Sequence, residues 1–406
     1  MTAARRSDDR PRTARRFGVA LLAALVAFAL AELLVRAFVL ANPRLVWRPL
    51  PPFTGMDTDA QRSWLERQER ELAGGAPLVG YGEFDALLGW TNRPSTTWGG
   101  GTVHINSHGL RGGREYPDER SPGIVRILAS GESFTFGAEV ADDEAWPARL
   151  EQGHPLWEVC NLGVGAYGTD QALLRLRTTA RAPVDAVLVG LLLENIGRNV
   201  NRYRPLWFTQ ALPAAKPRLH LGSTGLELVP LPFADREEFV RSVRDGDVLA
   251  RLHEHEYWSD PFVPAGLRWS AIARLLGARR AYAARQGERM WRDVEGEPFR
   301  TTLAILAAFR DAARDLGTER TCVLVFPDRE DLQGLVERGN RYWTPLLGAL
   351  ERLHLDSLDL SEPLAAAARR SSAAALYVDS HLSALGNEVV TEAIAAHLES
   401  WFPDSR

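Results

Sequence analysis

The sequence predicts an α/β protein in which a mostly parallel sheet of about five strands follows one transmembrane helix. Three observations support this fold class. Five short strand-like runs lie between residues 124 and 360, helical patterns alternate with them, and a long uncharged segment begins at residue 17. Strands that alternate with helices typically form a parallel sheet with helices on both faces. We therefore expect a three-layer α/β/α domain behind a membrane anchor.

The composition is that of an ordinary globular protein. Of the 406 residues, 45% are hydrophobic and 25% are charged, which excludes a disordered or collagen-like chain. The net charge of −4 at pH 7 indicates no general affinity for nucleic acid. The two cysteines, Cys160 and Cys322, are too few for a disulfide framework or a zinc site. Since each lies in an apolar run, we interpret both as buried structural thiols.

The amino-terminal segment is typical of a membrane anchor. Residues 1–16 contain six arginines, and residues 17–41 are apolar apart from Glu32 and Arg36. A helix of this length spans about 37 Å, enough to cross a hydrocarbon core of about 30 Å. Glu32 and Arg36 are four residues apart and can pair on one face of the helix. The positive-inside rule makes residues 1–16 a cytoplasmic tail and places the rest of the chain outside.

A cleaved signal peptide is the alternative for this segment. Ala29 and Ala31 form the A-x-A pattern of a cleavage site after an apolar core of 15 residues. An uncleaved signal anchor is favoured because apolar residues resume after Ala31. Under either interpretation the globular part of the chain is exported.

The remaining elements follow in order. Residues 42–81 are a predicted linker, extended at its prolines and containing a polar helix. The predicted strands are 124–129, 157–162, 184–193, 321–326 and 353–360. The main predicted helices are 169–181, 301–316, 332–353 and 384–401. The last of these carries an apolar stripe that indicates its buried face, formed by Val390, Ile394 and Leu398.

Residues 216–298 are interpreted as a helical insertion between the third and fourth strands. They contain a predicted hairpin at 220–232 and charged helices at 236–252 and 265–292. The globular domain therefore comprises residues 82–215 and 299–406. Because its ends flank the predicted site, the insertion could act as a lid or as an acceptor-binding module. A purely structural role with a solvated charged face is the alternative.

The heptapeptide GESFTFG, residues 131–137, is the most distinct candidate for a catalytic motif. A small-residue turn after a buried strand presents a side chain at the carboxyl edge of the sheet, where open α/β proteins place their sites. Ser133 is therefore a candidate nucleophile, although a helix cap would use the same residue type. A serine needs a base to accept its proton, and His381 is the best candidate. Asp379 lies two residues earlier and could orient the imidazole.

Two further motifs follow the second and third strands. Residues 163–168 read GVGAYG, which has the form of a dinucleotide-binding loop. The acidic residue that such a site needs is poorly spaced, so we expect the loop to donate backbone N–H groups, Gly163 among them, to an oxyanion. The amide of Asn195, after the third strand, could be a second donor. The sequence His253-Glu254-His255 lacks a third ligand at a recognisable spacing and is interpreted as a solvated face.

Together these motifs resemble the SGNH, or GDSL, family of esterases and acyltransferases. Ser133 occupies the nucleophile position, and Gly163, Asn195 and the Asp379–His381 motif match the later blocks. Two departures are G-E-S in place of G-D-S and D-x-H in place of D-x-x-H. The second departure resembles alginate O-acetyltransferase-like proteins, and residues 85–90 and 105–112 resemble the membrane-anchored bacterial branch. The resemblance covers about residues 82–210 and 299–402.

The resemblance implies a serine esterase or acyltransferase anchored in the bacterial inner membrane with its catalytic domain in the periplasm. Ser133 would attack an acyl ester, His381 would take its proton, and Asp379 would hold the imidazole. The Ser133 and Gly163 N–H groups and the Asn195 amide would form the oxyanion hole. The expected substrate is an ester on an envelope carbohydrate, such as an exopolysaccharide, or on a lipid, with no cofactor or metal. A catalytically silent protein that binds envelope polysaccharide and, less favoured, a dinucleotide-dependent oxidoreductase remain alternatives.

Overall fold

The computed structural model describes residues 10–40, 58–73, 82–180, 183–207, 213–259 and 263–403. Much of the predicted linker and the first nine residues of the predicted tail lie outside these ranges. The described chain divides into two compact units. One contains the N-terminal helix together with Ser259–Ala283, and the other contains Leu65–Trp258 and the chain from Ala284 onward.

A five-stranded parallel sheet forms the centre of the larger unit. Its strands are β1 (Val125–Ser130), β2 (Trp157–Asn161), β3 (Ala186–Leu192), β4 (Thr321–Phe326) and β5 (Asp356–Asp359). Their order across the sheet is β5-β4-β3-β1-β2. The predicted sheet of five parallel strands is thus confirmed. The winding reverses between β1 and β3, and open α/β sheets bind ligands beyond the carboxyl ends of strands at such a point.

Helices and short hairpins complete the described chain. The α-helices after the N-terminal one are Thr58–Ala73, Ser133–Phe136, Trp146–Gly153, Thr169–Thr179, Asn195–Arg198, Arg204–Trp207, Arg236–Asp245, Val248–Leu252, Ala271–Ala284, Gly287–Arg292, Glu297–Asp315, Arg329–Arg338, Thr344–Arg352, Ser361–Arg370 and Ala384–Leu398. The antiparallel hairpins pair Gly82–Asp85 with Gly89–Asn92, Thr96–Trp98 with Val103–Ile105, Arg218–Gly222 with Gly225–Val229, and Tyr377–Val378 with His381–Leu382. The predicted apolar stripe of the last helix is fully buried in the main core.

Three predicted helices are each divided into two, and glycines explain two of the breaks. The predicted helix 332–353 ends its first part at Gly339, which adopts a left-handed φ of 67°. Its second part begins with Pro345 in the first turn, where a missing N–H costs nothing. The predicted helix 236–252 is broken in the same way at Gly246, whose φ is 80°. The third, 265–292, separates into Ala271–Ala284 and Gly287–Arg292.

The N-terminal helix has the length of a membrane span. It runs over Arg10–Leu34 and continues as a π-helical segment over Val35–Leu40. Within it, Arg15–Phe38 is a 24-residue segment with a mean hydropathy of 2.5, long and apolar enough to cross a membrane. A signal sequence meets the same criteria of length and composition. The segment coincides with most of the predicted anchor, residues 17–41.

Buried charges connect residues 216–258 of the predicted insertion to the rest of the sheet-containing unit. Lys216 is 1% exposed, and its ammonium group lies 2.5 Å from the carboxylate of the buried Asp170. The carboxylate of Glu256 accepts the backbone N–H groups of Arg202 at 2.5 Å and Tyr203 at 2.9 Å. Removing one member of a buried pair leaves an uncompensated charge and is strongly destabilising. Residues 216–258 therefore stabilise the sheet-containing unit to which they belong.

Candidate active site

The turn after β1 is tightly packed, and two glycines, one within it and one in the loop after β2, leave the space that it needs. Ser133 begins the short helix Ser133–Phe136, two residues after Gly131. A Cβ atom on Gly131 would lie 2.1 Å from the Thr135 hydroxyl oxygen. A Cβ on Gly163, in the loop after β2, would lie 2.3 Å from the backbone nitrogen of Phe136. The two loops therefore pack backbone against backbone, and this close approach fixes the direction of the serine.

The structure brings together Ser133 and His381, which are 248 residues apart in the sequence. The Ser133 hydroxyl oxygen lies 2.9 Å from Nε2 of His381. His381 lies on the two-residue strand His381–Leu382 that pairs with Tyr377–Val378. The ring of Phe134 packs against the imidazole with centroids 5.5 Å apart. This is the geometry in which a histidine can accept a serine proton.

The other imidazole nitrogen, Nδ1, has less definite partners. Within the described residues, the Ser380 hydroxyl lies 3.4 Å from it and a Glu139 carboxylate oxygen lies 3.7 Å away. Asp379 lines the same cavity but does not come as close to Nδ1. Its backbone has a left-handed φ of 51°, an uncommon conformation for a residue other than glycine. No local sequence pattern marks Glu139 as a candidate partner of the histidine.

Two of the three predicted oxyanion donors, Gly163 and Asn195, make hydrogen bonds within the protein. The Gly163 N–H donates to the side-chain oxygen of Asn161 at 2.9 Å. The Asn195 amide donates to the Glu132 carboxylate and to the Thr169 hydroxyl, each at 3.3 Å. Both residues thus brace the turn that carries Ser133. Their role as oxyanion donors stays a prediction.

The surroundings of Glu132 show how the structure accommodates glutamate in the G-E-S motif. Its side chain is fully buried beside Ser133 and reaches the Asn195 amide. Burial raises the pKa of this carboxyl to about 7, although the positive charge of Arg198 acts in the opposite direction. The acidic side chain therefore serves as a buried link between the first and third motifs.

His381 is held in the state that a general base requires. Burial lowers the pKa of its imidazole to about 4, and repulsion from Arg198 lowers it as well. The carboxylates of Glu194 and Asp379 partly offset this effect. The imidazole is therefore neutral at pH 7 and free to accept a proton.

A cavity of about 780 Å³ opens over the Ser133–His381 pair. Its lining combines apolar rings with charged groups of both signs, among them Phe136, Trp207, Glu194, Asp328, Arg198 and Arg204. The guanidinium groups of Arg198 and Arg204 each lie 5.5 Å from the Trp207 ring centroid. No sequence motif marks Arg198, Arg204 and Trp207, which follow the third motif. Among the described residues of the predicted insertion, none lines the cavity.

Potential metal ligands lie elsewhere. In the part of the chain that the structure describes, Cys322, Asp356 and His397 come within 4.8 Å of one another. Cys322 and Asp356 lie near the amino ends of β4 and β5, at the sheet edge opposite to Ser133. The His397 Nε2–H donates to the Asp356 carboxylate at 2.7 Å, and this bond raises the pKa of the imidazole. We interpret the group as a buried thiol beside an ion pair.

Comparisons with known proteins do not identify a family. The sequence matches no protein-family model and no curated protein. Two solved structures are similar to this chain at 15% and 12% sequence identity. Each match covers 69% of this chain and 99% of the matched chain, with a TM-score of 0.34. A TM-score this low supports no conclusion about a shared fold or function.

Proposed function

We propose that this protein is a membrane-anchored serine esterase or O-acyltransferase of the SGNH type that acts outside the cytoplasm. The observation that carries the proposal is the 2.9 Å contact between Ser133 Oγ and His381 Nε2 in a cavity at the carboxyl edge of the sheet. A nucleophile within hydrogen-bonding reach of a base is the signature of covalent catalysis. The three-layer α/β/α arrangement of that family is part of the same proposal.

The proposed reaction has two acyl-transfer steps. Ser133 Oγ attacks the ester carbonyl while His381 Nε2 takes its proton, and Asp379 stabilises the imidazolium. The oxyanion is bound by the Ser133 N–H, the Gly163 N–H and the Asn195 amide, the last two exchanging their present acceptors for the substrate oxygen. Collapse of the intermediate breaks the ester C–O bond, and His381 returns the proton to the leaving alcohol. Water or a carbohydrate hydroxyl then attacks the acyl-serine by the same route.

The dimensions of the cavity and the anchor support an envelope substrate. A volume of about 780 Å³ lies in the range of small-molecule sites and can hold an acyl group together with a sugar ring. Trp207 offers an aromatic ring beside charged groups, a combination suited to an acylated carbohydrate. With residues 1–16 in the cytoplasm, the span Arg15–Phe38 would hold the catalytic domain at the outer face of the inner membrane.

A fluorophosphonate probe tests the proposal directly, because it labels only an activated serine. The full-length protein in membranes should be labelled, and the Ser133→Ala variant should not. The matched control is Ser371→Ala, which removes an exposed hydroxyl that donates to the Ala367 carbonyl of the preceding helix. A folded protein that the probe fails to label would contradict the proposal and favour a silent polysaccharide-binding protein. Tight binding of a nicotinamide dinucleotide would favour the oxidoreductase.

The low pKa of His381 predicts an unusual pH profile for hydrolysis of a small soluble ester. Activity requires the neutral imidazole, so kcat/KM should fall on the acid side with an apparent pKa near 4, below the ordinary histidine value. Arg198→Gln removes a charge that lowers this pKa, so the acid limb should move to higher pH. Arg314→Gln, which changes an exposed arginine, should leave the profile unchanged. An acid limb near 6.5 in the unmodified protein would contradict the lowered pKa of His381.

A further inference from the structure

The N-terminal helix is bonded to a second segment, residues 263–284, of which all but the last residue belong to the same compact unit. The Glu32 carboxylate accepts the Ser270 hydroxyl and the backbone N–H groups of Ala271 at 2.7 Å and Ile272 at 3.2 Å. It therefore caps the amino end of helix Ala271–Ala284. The Arg36 guanidinium donates to the Trp269 carbonyl at 3.0 Å. The two charged groups of the apolar span thus hold this segment beside the carboxyl end of the span.

The fastened segment exposes large apolar side chains. Trp269 is 64% exposed, and Leu267, Leu276 and Tyr282 are also exposed. On helix Ala271–Ala284, spacings of four, three and four residues place one row of side chains on a single face, formed by Ile272, Leu276, Arg279 and Ala283. On the other side, Ala271, Gly277 and Ala281 are buried. The helix therefore presents a mixed apolar and cationic surface outward.

The charge pattern of the segment is one-sided. Residues 263–284 contain four arginines, at 268, 274, 279 and 280, and no aspartate or glutamate. Tryptophan and tyrosine are enriched at membrane–water interfaces, where neighbouring arginines can reach the lipid headgroups. Anionic lipid headgroups attract such cationic segments.

We infer that residues 263–284 form a second membrane contact, which lies in the headgroup layer and binds anionic lipid beside the anchor. The bonds from Glu32 and Arg36 place its start at the end of the apolar span, where the hydrocarbon core gives way to headgroups. The exposed rings and leucines then extend the apolar surface of the anchor, while the arginines meet lipid phosphates. The inference depends on the span crossing the membrane and is independent of the proposed esterase activity.

Depth-dependent quenching tests this contact. The full-length protein, one copy per lipid nanodisc, would carry Leu276→Cys labelled with an environment-sensitive fluorophore, and both native cysteines are buried. Brominated lipid should quench this label at least roughly twofold more than a label at Leu156→Cys, an exposed leucine of the larger unit. Equal quenching at the two positions, or shielding of Leu276→Cys only after a protein partner or a second copy is added, would overturn the inference.

Variants of the arginines and of the Glu32 cap provide a second test of the membrane contact. Quenching at Leu276→Cys should be stronger in discs that contain phosphatidylglycerol than in pure phosphatidylcholine, and Arg279→Ser with Arg280→Ser should remove the difference. Arg314→Ser with Arg338→Ser, at exposed sites of the larger unit, should retain it. Glu32→Leu keeps the span apolar but removes the cap, so it should lower the quenching. Quenching that changes neither with lipid charge nor with any of these variants would contradict the proposed site for anionic lipid.

Discussion

Replacement of Ser133 by alanine should lower the turnover of a small acyl ester by about 10⁴–10⁶-fold, the range found when a catalytic-triad nucleophile is removed. The reason is that no other hydroxyl is shown within hydrogen-bonding distance of His381 Nε2 among the described residues. Steady-state hydrolysis by purified full-length protein measures the effect, and thermal unfolding checks that the variant is folded.

Two further variants sharpen this prediction. His381→Ala should cause a loss of similar size, and the double variant should lose little more, because members of a catalytic unit act non-additively. Ser371→Ala, at an exposed position, should retain full turnover. Ester hydrolysis that persists in a clean Ser133→Ala preparation would exclude this serine as the nucleophile.

The second large effect is expected at Asp379, the proposed carboxylate partner of the His381 imidazole. Asp379→Asn should reduce kcat by about 10⁴-fold, since a triad acid holds the imidazole in the reactive tautomer and stabilises the imidazolium. Catalytic hydrogen bonds are often long in a free enzyme and shorten when substrate binds, so the present separation of Asp379 from Nδ1 does not rule it out.

Glu139→Gln is the matched comparison for Asp379. The Glu139 carboxylate lies 3.7 Å from Nδ1, beyond hydrogen-bonding distance, and its side chain is 45% exposed. The Asp379 carboxylate raises the pKa of the imidazole, and it is the residue that the proposed mechanism uses as the triad acid. Loss of Glu139 should therefore change kcat by less than about tenfold. The opposite ranking of the two variants in steady-state kinetics would assign the orienting role to Glu139.

The sheet and the meeting of serine with histidine could be predicted because both follow from local patterns. Apolar runs such as Ala186–Leu192 predict buried strands, and parallel strands bring their carboxyl ends to one edge. Ser133 directly follows β1, whereas His381 lies on a separate hairpin and is marked by its D-x-H motif, so their contact is predicted from the motifs and not from the sheet alone.

The features that sequence analysis missed depend on contacts between distant residues. The helix breaks at Gly246 and Gly339 require left-handed backbone, which a periodic apolar pattern does not reveal. Arg198 and Trp207 become part of the cavity only when the chain after β3 folds back over the site. Glu32 and Arg36 were expected to pair with each other, and their bonds to residues 269–272 span more than 230 positions of sequence.

The buried Lys216 has a practical consequence for experiments on the folded state. It is the single lysine of the chain, and its amine is enclosed with the Asp170 carboxylate. Amine-reactive reagents can therefore modify this side chain only when the region around it opens transiently. The rate at which an acylating reagent adds to Lys216, followed by mass spectrometry, would report the frequency of that opening at one defined position, without any engineered label.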